Sequence, residues 1–169
     1  MAFRELTYKG DPVLRKNCRV VDKFNKRLWD LLDDMQETLA RSNGVGLAAP
    51  QVGVVKRVVI IDKGAATGDY GDIVELINPE IVHTEGEQEG MEGCLSIPGK
   101  WGWVKRPMKA KVRFQDRNGN YCELEGEGLT ARAICHECDH LSGILYTDVC
   151  ERMLTEEEIE ALEQAKGEA

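Results

Sequence analysis

The chain has 169 residues, of which 42% are hydrophobic and 31% charged, and its formal net charge is −8. This size and balance predict one globular domain over residues 1–169 with a core of its own. The acidic charge disfavours a broad nucleic-acid-binding surface, so we expect no specific nucleic-acid partner. We expect no membrane span or signal peptide, because there is no run of roughly 20 apolar residues and the N-terminal stretch is charged, and we expect a cytoplasmic location.

The first strong pattern is an amphipathic helix between residues 25 and 42. Its apolar residues recur on one helical face, with charged residues opposite, and Asn43-Gly44 supplies the signal that ends it. Such a helix packs its apolar stripe on a core. The stripe consists of Leu28, Leu31, Leu32, Met35 and Leu39.

Strand patterns dominate the middle of the chain. Residues 57–62, 74–77 and 80–83 are rich in β-branched residues and predict three strands. Residues 109–125 predict a hairpin that turns at Asn118-Gly119. A helix follows over residues 129–141 and ends near Gly143. The pattern predicts an α+β fold, with short antiparallel strands packed around this central helix.

A last helix is predicted over about residues 155–166. The Thr155 hydroxyl and the Glu158 side chain are spaced to form a capping box at its start. Residues 150–169 contain seven acidic and two basic side chains, a net charge of −5. Docking of this helix on RNA would be electrostatically repulsive, so we expect no RNA anchor here.

The most informative motif is His136-Glu137-Cys138-Asp139-His140 in the central helix. Side chains four residues apart lie on the same helix face, so His136 and His140 can bind one metal ion. Glu137 is placed to reach a water molecule on that ion. The alternative is a helix that carries two histidines by chance. That alternative is weakened because the chain has only three histidines and two of them stand here.

The six cysteines of a cytoplasmic chain are more typical of free thiols or metal ligands than of a disulfide framework. Cys135 and Cys138 form a C-x-x-C pair, which raises the possibility of a second metal or redox site. Helix geometry points both thiols away from the direction shared by His136 and His140. We therefore expect both to pack in the core.

Two further segments carry small or reactive residues. In the segment from Glu92 to Pro98, Cys94 follows a glycine and is a potential thiolate; a buried cysteine at a strand end is the simpler interpretation. In Gly44–Gln51, small residues let the backbone approach a ligand and an amide side chain follows. Taken alone, that segment is better explained as a helix end and a turn.

Together, the segments GVGLAAPQ, EGCLS and HECDH, in this order and separation, resemble the peptide deformylases. The resemblance covers nearly the whole chain, from residues 10–15 to the final helix, and is closest to the compact bacterial form. It implies the peptide deformylase fold and a single catalytic domain. It also implies a metal-dependent hydrolase that removes the formyl group from the N-terminal formylmethionine of newly made polypeptides and releases formate.

The resemblance assigns roles to particular residues. Cys94, His136 and His140 would bind one divalent metal, with Fe(II) as the expected occupant and zinc, nickel or cobalt as alternatives. Glu137 would act as general base and acid. The Gln51 amide and the Leu95 backbone N–H would stabilise the oxyanion, and Gly46 would line the same pocket.

A pocket for the methionine side chain is also implied. Arg132 is a misfit in such a pocket, and we expect its stem to line the wall while its guanidinium reaches water; an altered substrate preference is the alternative. Trp101 and Trp103 are interpreted either as walls for the substrate residues beyond methionine or as ordinary packing. The pocket residues are Val45, Glu92, Gly93, Leu129, Arg132 and Ala133.

Two other functions remain open from the residues alone. A zinc endopeptidase would use the two histidines with a glutamate from the last helix, such as Glu160, but would leave Cys94 and Gln51 without roles. A structural metal site would need a fourth protein ligand. The resemblance also implies nascent formylated polypeptides as partners, and it allows transient proximity to the ribosome without a basic tail as the anchor.

Overall fold

A computed structural model describes residues 2–168, with side chains through residue 165. These residues contain four α-helices and eight strands. The strands form a five-stranded sheet of order β1-β2-β3-β6-β7 and a three-stranded sheet of order β4-β5-β8. The helices are α1 (Lys26–Ser42), α2 (Leu129–His140), α3 (Tyr146–Val149) and α4 (Glu156–Glu168). The strands are β1 (Gly46–Ala48), β2 (Val58–Asp62), β3 (Ile73–Glu85), β4 (Gln88–Cys94), β5 (Ile97–Arg106), β6 (Lys109–Gln115), β7 (Tyr121–Glu127) and β8 (Arg152–Met153). All pairings within the two sheets are antiparallel, which confirms the predicted α+β fold.

Helix α1 confirms the amphipathic prediction. Its N-cap is Asn25, whose side chain accepts a hydrogen bond from the Leu28 N–H at 3.4 Å. It ends at Asn43, which adopts the left-handed conformation with φ of 54°. The left-handed residue is therefore the asparagine and not Gly44, as a short polar side chain tolerates this region.

Strand β2 of the five-stranded sheet is buried on both faces, because its first four residues are all apolar and its last residue, Asp62, is also buried. Val58 and Ile60 pack in one cluster with α1, whereas Val59 and Ile61 pack in another with α2. Alternate side chains of a strand point to opposite faces, so a continuous apolar run serves both helices. This layering holds α2 against the sheet.

The prediction of separate strands over residues 74–77 and 80–83 is wrong. They are parts of the single strand β3, whose pairing with β6 is irregular between Ile77 and Glu80. Asn78 lies at the irregularity with φ of 52°, and its side chain exchanges two 2.8 Å hydrogen bonds with the backbone N–H and C=O of Val21. A distant segment thus stabilises a bulge that interrupts the strand pattern.

The hairpin of β4 and β5 was not predicted. Cys94 pairs with Ile97 across its turn, so Leu95 and Ser96 form the tip between the strands. Glycines and exposed charges interrupt the alternation expected of strands in this region. The hairpin matters because it brings Cys94 from the three-stranded sheet to α2.

The predicted hairpin over 109–125 is confirmed by β6 and β7, and the predicted central helix by α2. Gly126 in β7 lets α2 approach closely: a Cβ there would lie 2.8 Å from Thr130 Cγ2 and 3.0 Å from Ile134 Cδ1. Cys135 and Cys138 join the core cluster between α2 and the sheet, as expected.

The last helix also begins as predicted. The Thr155 Oγ1 accepts a hydrogen bond from the Glu158 N–H at 3.2 Å, and the Glu158 carboxylate accepts one from the Thr155 N–H at 3.3 Å. Within residues 2–168, no helix combines the length and apolarity needed to cross a membrane.

Candidate active site

Helix α2 and the β4–β5 turn bring three metal-ligating side chains together. Cys94, His136 and His140 each offer one atom, and these atoms all lie within 4.8 Å of one another. The Cys94 Sγ lies 3.4 Å from the His140 Nε2. The two histidines share a helix face because they are four residues apart, and both are buried.

His136 is oriented by Glu92. Its Nδ1 bonds to the Glu92 carboxylate, which leaves Nε2 facing the cysteine and the other histidine. Burial alone would raise the pKa of Glu92, but hydrogen bonds from His136 and Arg106 outweigh it and lower the pKa to about 2. The carboxylate is therefore a permanent acceptor for the His136 ring N–H.

The Glu92 carboxylate belongs to a buried charge cluster. Arg106 bonds to both of its oxygens, at 2.6 and 3.1 Å, and reaches Asp139 with a third hydrogen bond of 2.7 Å. Arg132 donates from Nη1 to Glu92 Oε2 at 2.9 Å. Two carboxylates thus face two guanidinium groups, and their charges balance without a proton on His136.

Glu137 lies beside the facing nitrogens of both histidines. Its carboxylate oxygens are 3.9 Å from the His136 Nε2 and 4.0 Å from the His140 Nε2. Burial raises the pKa of Glu137 to about 7. Its Oε1 is buried and has no hydrogen-bond partner among the described residues, so a polar group beside the histidines is expected to satisfy it.

Gly46 makes room for Glu137. A Cβ on Gly46 would lie 2.8 Å from Glu137 Cγ and 2.9 Å from its Oε2. Any larger residue would therefore displace the carboxylate.

The Gln51 amide faces the same atoms. Its Oε1 accepts a hydrogen bond from the Ala48 N–H at 2.9 Å, which fixes which end of the amide points outward. The Nε2 then donates to Ser96 Oγ at 3.1 Å and to Cys94 Sγ at 3.4 Å. This NH2 group and the Leu95 turn lie at the same end of the cavity.

An N-terminal strap, residues 7–9, supports the backbone at Gln51 and at Ser96 and was not predicted from the sequence. The Thr7 N–H donates to the Gln51 carbonyl at 2.7 Å, and the Lys9 N–H donates to the Ser96 carbonyl at 2.9 Å. These contacts use backbone groups, so no side-chain motif in the sequence predicts them. The strap fixes the backbone behind the Gln51 and Ser96 side chains.

A cavity of about 430 Å³ opens beside these groups. All the residues expected to line a substrate pocket line it: Val45, Gly46, Gln51, Glu92, Gly93, Leu95, Leu129, Arg132 and Ala133. Along α2 the lining runs from His136 back to Leu129 at positions spaced by three and four residues, which is one helix face. A concave, mostly apolar pocket with a few polar groups is typical of a ligand site.

The expectation that the Arg132 guanidinium reaches water is wrong. The side chain is only 6% exposed, and its Nη1 bonds to Glu92 and to the Val104 carbonyl, the latter at 3.2 Å. Glu92 comes from a strand 40 residues earlier and neutralises the charge inside the protein. Arg132 lines the pocket as a paired cation.

The two tryptophans differ. Trp101 lines the cavity, whereas Trp103 does not and pairs through its backbone with Arg152 in β8. The wall interpretation therefore fits Trp101, and the packing interpretation fits Trp103.

Neither competing function finds its residues at this site. Within residues 2–165, the metal-ligating group consists of Cys94, His136 and His140, without Cys135 or Cys138. Burial raises the pKa of the Cys135 thiol to about 11, which keeps it protonated. Glu160 is exposed on α4 and lies outside the group. A fourth protein ligand for a structural site and a third endopeptidase ligand are thus both missing from the described part of the chain.

The donor set fits one divalent metal ion. One sulfur and two imidazole nitrogens suit Fe(II), zinc, nickel or cobalt, and three protein ligands leave a position for water or substrate. Water or substrate at that position would donate a hydrogen bond to the unpaired Glu137 oxygen beside the two histidines. The fold and this candidate metal site define the class of metal-dependent hydrolases.

Comparison with known proteins gives the family. Residues 3–156 match the family described as polypeptide deformylase. The chain is 54% identical over 160 residues to a peptide deformylase of Caldicellulosiruptor bescii, covering 95% of this chain and 93% of that one. The chain belongs to the polypeptide deformylase family and is a hydrolase that removes the N-formyl group from nascent polypeptides.

Solved structures agree with the fold. The peptide deformylase from Thermotoga maritima aligns with a TM-score of 0.83 at 39% identity, over 89% of this chain and 99% of that one. A class I type b peptide deformylase from Acinetobacter baumannii, solved with Met-Ala-Ser bound, aligns with a TM-score of 0.82 at 33% identity, over 88% of this chain and 98% of that one.

Proposed function

We propose that this chain hydrolyses the formamide of N-terminal formylmethionine with Glu137 as the proton carrier and with Cys94, His136 and His140 holding one divalent metal. The observation that carries this proposal is the buried, unpaired Glu137 oxygen beside two histidines that share a cysteine partner. Nothing else in the cavity combines a free carboxylate oxygen with a metal-binding set. We further propose that residues 1–169 form one catalytic domain.

The bound metal would polarise the formyl carbonyl and make water a better nucleophile at neutral pH. Glu137 takes a proton from the water that attacks the formyl carbon, since its carboxylate lies beside the two ligating histidine nitrogens. A divalent ion held by Cys94, His136 and His140 would favour the ionised form of this carboxylate. When the carbon–nitrogen bond breaks, Glu137 delivers that proton to the departing amine, and formate and a free amino terminus result.

Gln51 and Leu95 would stabilise the oxyanion that forms during attack. The Gln51 NH2 faces this end of the cavity because its oxygen is tied to the Ala48 N–H. The Leu95 N–H belongs to the turn that follows Cys94. Removing one donor of this kind typically raises the barrier by about 3–4 kcal/mol.

The methionine side chain would lie along the face of α2 formed by Leu129, Arg132 and Ala133, opposite Val45 and Gly93. The Met-Ala-Ser bound to the Acinetobacter baumannii relative is the product of such a reaction. Arg132 lines this face with its Nη1 bonded to Glu92, while its Nη2 is buried and has no hydrogen-bond partner among the described residues.

We propose Fe(II) as the metal, because one thiolate and two imidazoles suit it and the resemblance favours it. Such a site is sensitive to oxygen, so activity in air should decay faster with iron than with nickel. Equal decay of the iron-loaded and nickel-loaded proteins would contradict the assignment.

We propose that the protein acts in the cytoplasm, close to the ribosomes that supply formylated chains. The acidic helix α4 would not anchor the protein there, since it carries Glu156, Glu157, Glu158, Glu160 and Glu163 against RNA phosphates. Deleting residues after 155 should leave ribosome co-sedimentation unchanged; a clear loss would contradict this.

The test is formate release from formyl-Met-Ala-Ser by anaerobically purified protein of measured metal content. The isosteric change Glu137→Gln removes the proton acceptor and should lower kcat by at least about 10²-fold, because general acid–base catalysis contributes that much. Metal content should stay at the parent level, since Glu137 is not a ligand in this assignment.

Cys94→Ser serves as the matched variant, because it should lose metal and activity together. Full activity in metal-loaded Glu137→Gln would contradict the assigned base. Zinc retained at the parent affinity in Cys94→Ser would instead favour a site without the cysteine.

A further inference from the structure

The β4–β5 hairpin forms the outer wall of the cavity, and Trp101 is its largest side chain there. The Trp101 ring lies against the Gly93 backbone: a Cβ on Gly93 would be 2.6 Å from Cζ3 and 2.7 Å from Cε3 of the indole. Gly93 directly precedes Cys94. The ring therefore occupies a position that a glycine alone leaves open, beside a ligating residue.

The proposed methionine pocket uses Gly93 from this wall and does not include Trp101. Its helical side runs along α2 from His136 back to Leu129, and Glu137 is the one further α2 residue that lines the cavity. A substrate whose formyl carbon lies at the ligating atoms and whose first side chain follows α2 must continue toward the open rim. That rim is lined by Ser42, Asn43 and Gly44 on one side and by residues 98–101 on the other.

The lining around Trp101 is mainly apolar. Met91, Ile97 and Pro98 line the cavity together with Trp101, whose side chain is partly exposed, and Lys100 adds one exposed cation. The buried cation of the pocket, Arg132, is paired with Glu92 inside the protein. An aromatic face with apolar neighbours binds apolar and aromatic side chains, because their contact buries apolar surface and can pair two rings.

We propose that Trp101 is a specificity-determining residue that favours a large apolar or aromatic side chain at one of the two residues after formylmethionine. This inference rests on the proposed function, because it assumes that formylmethionine is bound with its side chain along α2. The substrate class is formylated polypeptides whose second or third residue is bulky and apolar.

The chain provides a matched control. Trp103 stands two residues further along the same strand and has the same side chain, but it does not line the cavity. Its backbone carbonyl accepts a 2.8 Å hydrogen bond from the Glu151 N–H, which holds the far end of the hairpin. Trp103→Ala therefore removes an indole of equal size without changing the rim.

The experiment measures kcat and KM of the metal-loaded protein for formyl-Met-Ala-Ser, formyl-Met-Phe-Ser and formyl-Met-Ala-Phe. We expect one phenylalanine peptide to exceed the alanine peptide by about tenfold in kcat/KM, mainly through KM, because an aromatic pair adds to the gain from buried area. Trp101→Ala should abolish this preference. Trp101→Phe should keep most of it, and Trp103→Ala should keep all of it.

Binding of the deformylated products Met-Ala-Ser, Met-Phe-Ser and Met-Ala-Phe is the second measurement, by calorimetry, on folded variants with matched thermal unfolding curves. It separates the two proposals, since product binding needs no hydrolysis. A parent that discriminates products through Trp101 but releases no formate would overturn the proposed function and leave this inference standing. Equal affinities in the parent, or an unchanged preference in Trp101→Ala, would overturn the inference.

Discussion

The guanidinium Nη1 of Arg132 lies 2.9 Å from Oε2 of Glu92, and the other oxygen of the same carboxylate holds the ring of His136. A residue of the substrate pocket is thereby linked to the residue that orients a ligand. Glu92 is the common partner of a cation, a second cation and an imidazole. Its charge is therefore needed by the metal site and by the protein interior at once.

Glu92→Gln keeps the shape and removes this charge. We expect metal affinity to fall by about 10–100-fold, because the charged acceptor that orients a ligating histidine is replaced by a neutral amide. Stability should fall by about 3 kcal/mol, since Arg106 and Arg132 lose a buried counter-charge. Chelator competition and urea unfolding measure the two effects.

Glu89→Gln is the control for that variant, because Glu89 is an exposed residue of the same strand, 3.8 Å from Lys105. It should match the parent in both measurements. Parent-like metal affinity in Glu92→Gln would show that His136 needs no carboxylate.

Gly46→Ala tests the close approach of Glu137. The new methyl group would meet Glu137 Cγ at 2.8 Å, so the carboxylate must move. We expect kcat to fall by about 10²-fold, because small displacements of a catalytic group are this costly, with metal content unchanged. The double change Gly46→Ala with Glu137→Ala should be no slower than Glu137→Ala alone; a further large loss would point to a separate role for Gly46.

Tyr146 lies beneath His136. The two rings stack with centroids 6.1 Å apart, and the tyrosine hydroxyl donates to the Lys100 carbonyl at 3.2 Å. Tyr146→Phe should cost about 1 kcal/mol of unfolding free energy, the typical value of one hydrogen bond, and should leave metal affinity unchanged. Tyr146→Ala should cost about 3–5 kcal/mol, since this large ring is 1% exposed.

Metal release kinetics complete the Tyr146 test. We expect faster release from Tyr146→Ala because His136 loses the surface on which it stacks. Release at the parent rate would mean that Glu92 alone orients the imidazole.

Asp148 gives a pH-dependent contribution to stability. The Arg15 guanidinium beside it lowers the pKa of its carboxyl below the usual 3.8. Because the folded pKa is depressed, this contribution is present above the unfolded pKa and is lost as the pH falls through the folded value. Both side chains are partly exposed, at 49% and 38%, so the contribution should stay below about 1 kcal/mol.

Asp148→Asn should therefore lower Tm at pH 7, and the Tm difference from the parent should shrink as the pH is lowered below the usual pKa of 3.8. Thermal scans of the parent and the variant over this pH range measure the effect. A Tm difference that persists in acid would indicate that packing, and not the charge, is responsible.

The elements that depend on nearby residues were predictable from the sequence. The Asn25 cap, the apolar stripe of α1 and the Thr155–Glu158 box all join residues within a few positions of one another. The histidine pair of α2 follows from helix geometry in the same way. Cys94 could be placed beside them only through the family resemblance, since spacing does not reveal a contact across 42 positions.

The features that depend on distant partners were not predictable. Arg132 was expected to reach water, because the sequence does not show that Glu92 is its buried ion-pair partner. The break at Asn78 concealed one long strand, because Val21 supplies the hydrogen bonds that stabilise the bulge. Both errors concern polar groups whose partners lie about 40 or more positions away.

The strap of residues 7–9 implies an order of events during translation. Thr7 and Lys9 leave the ribosome early, but their hydrogen-bond acceptors, the carbonyls of Gln51 and Ser96, are synthesised later. The histidines of α2 emerge later still. A growing copy of this protein therefore cannot assemble the Cys94, His136 and His140 group until α2 has been synthesised, long after the strap.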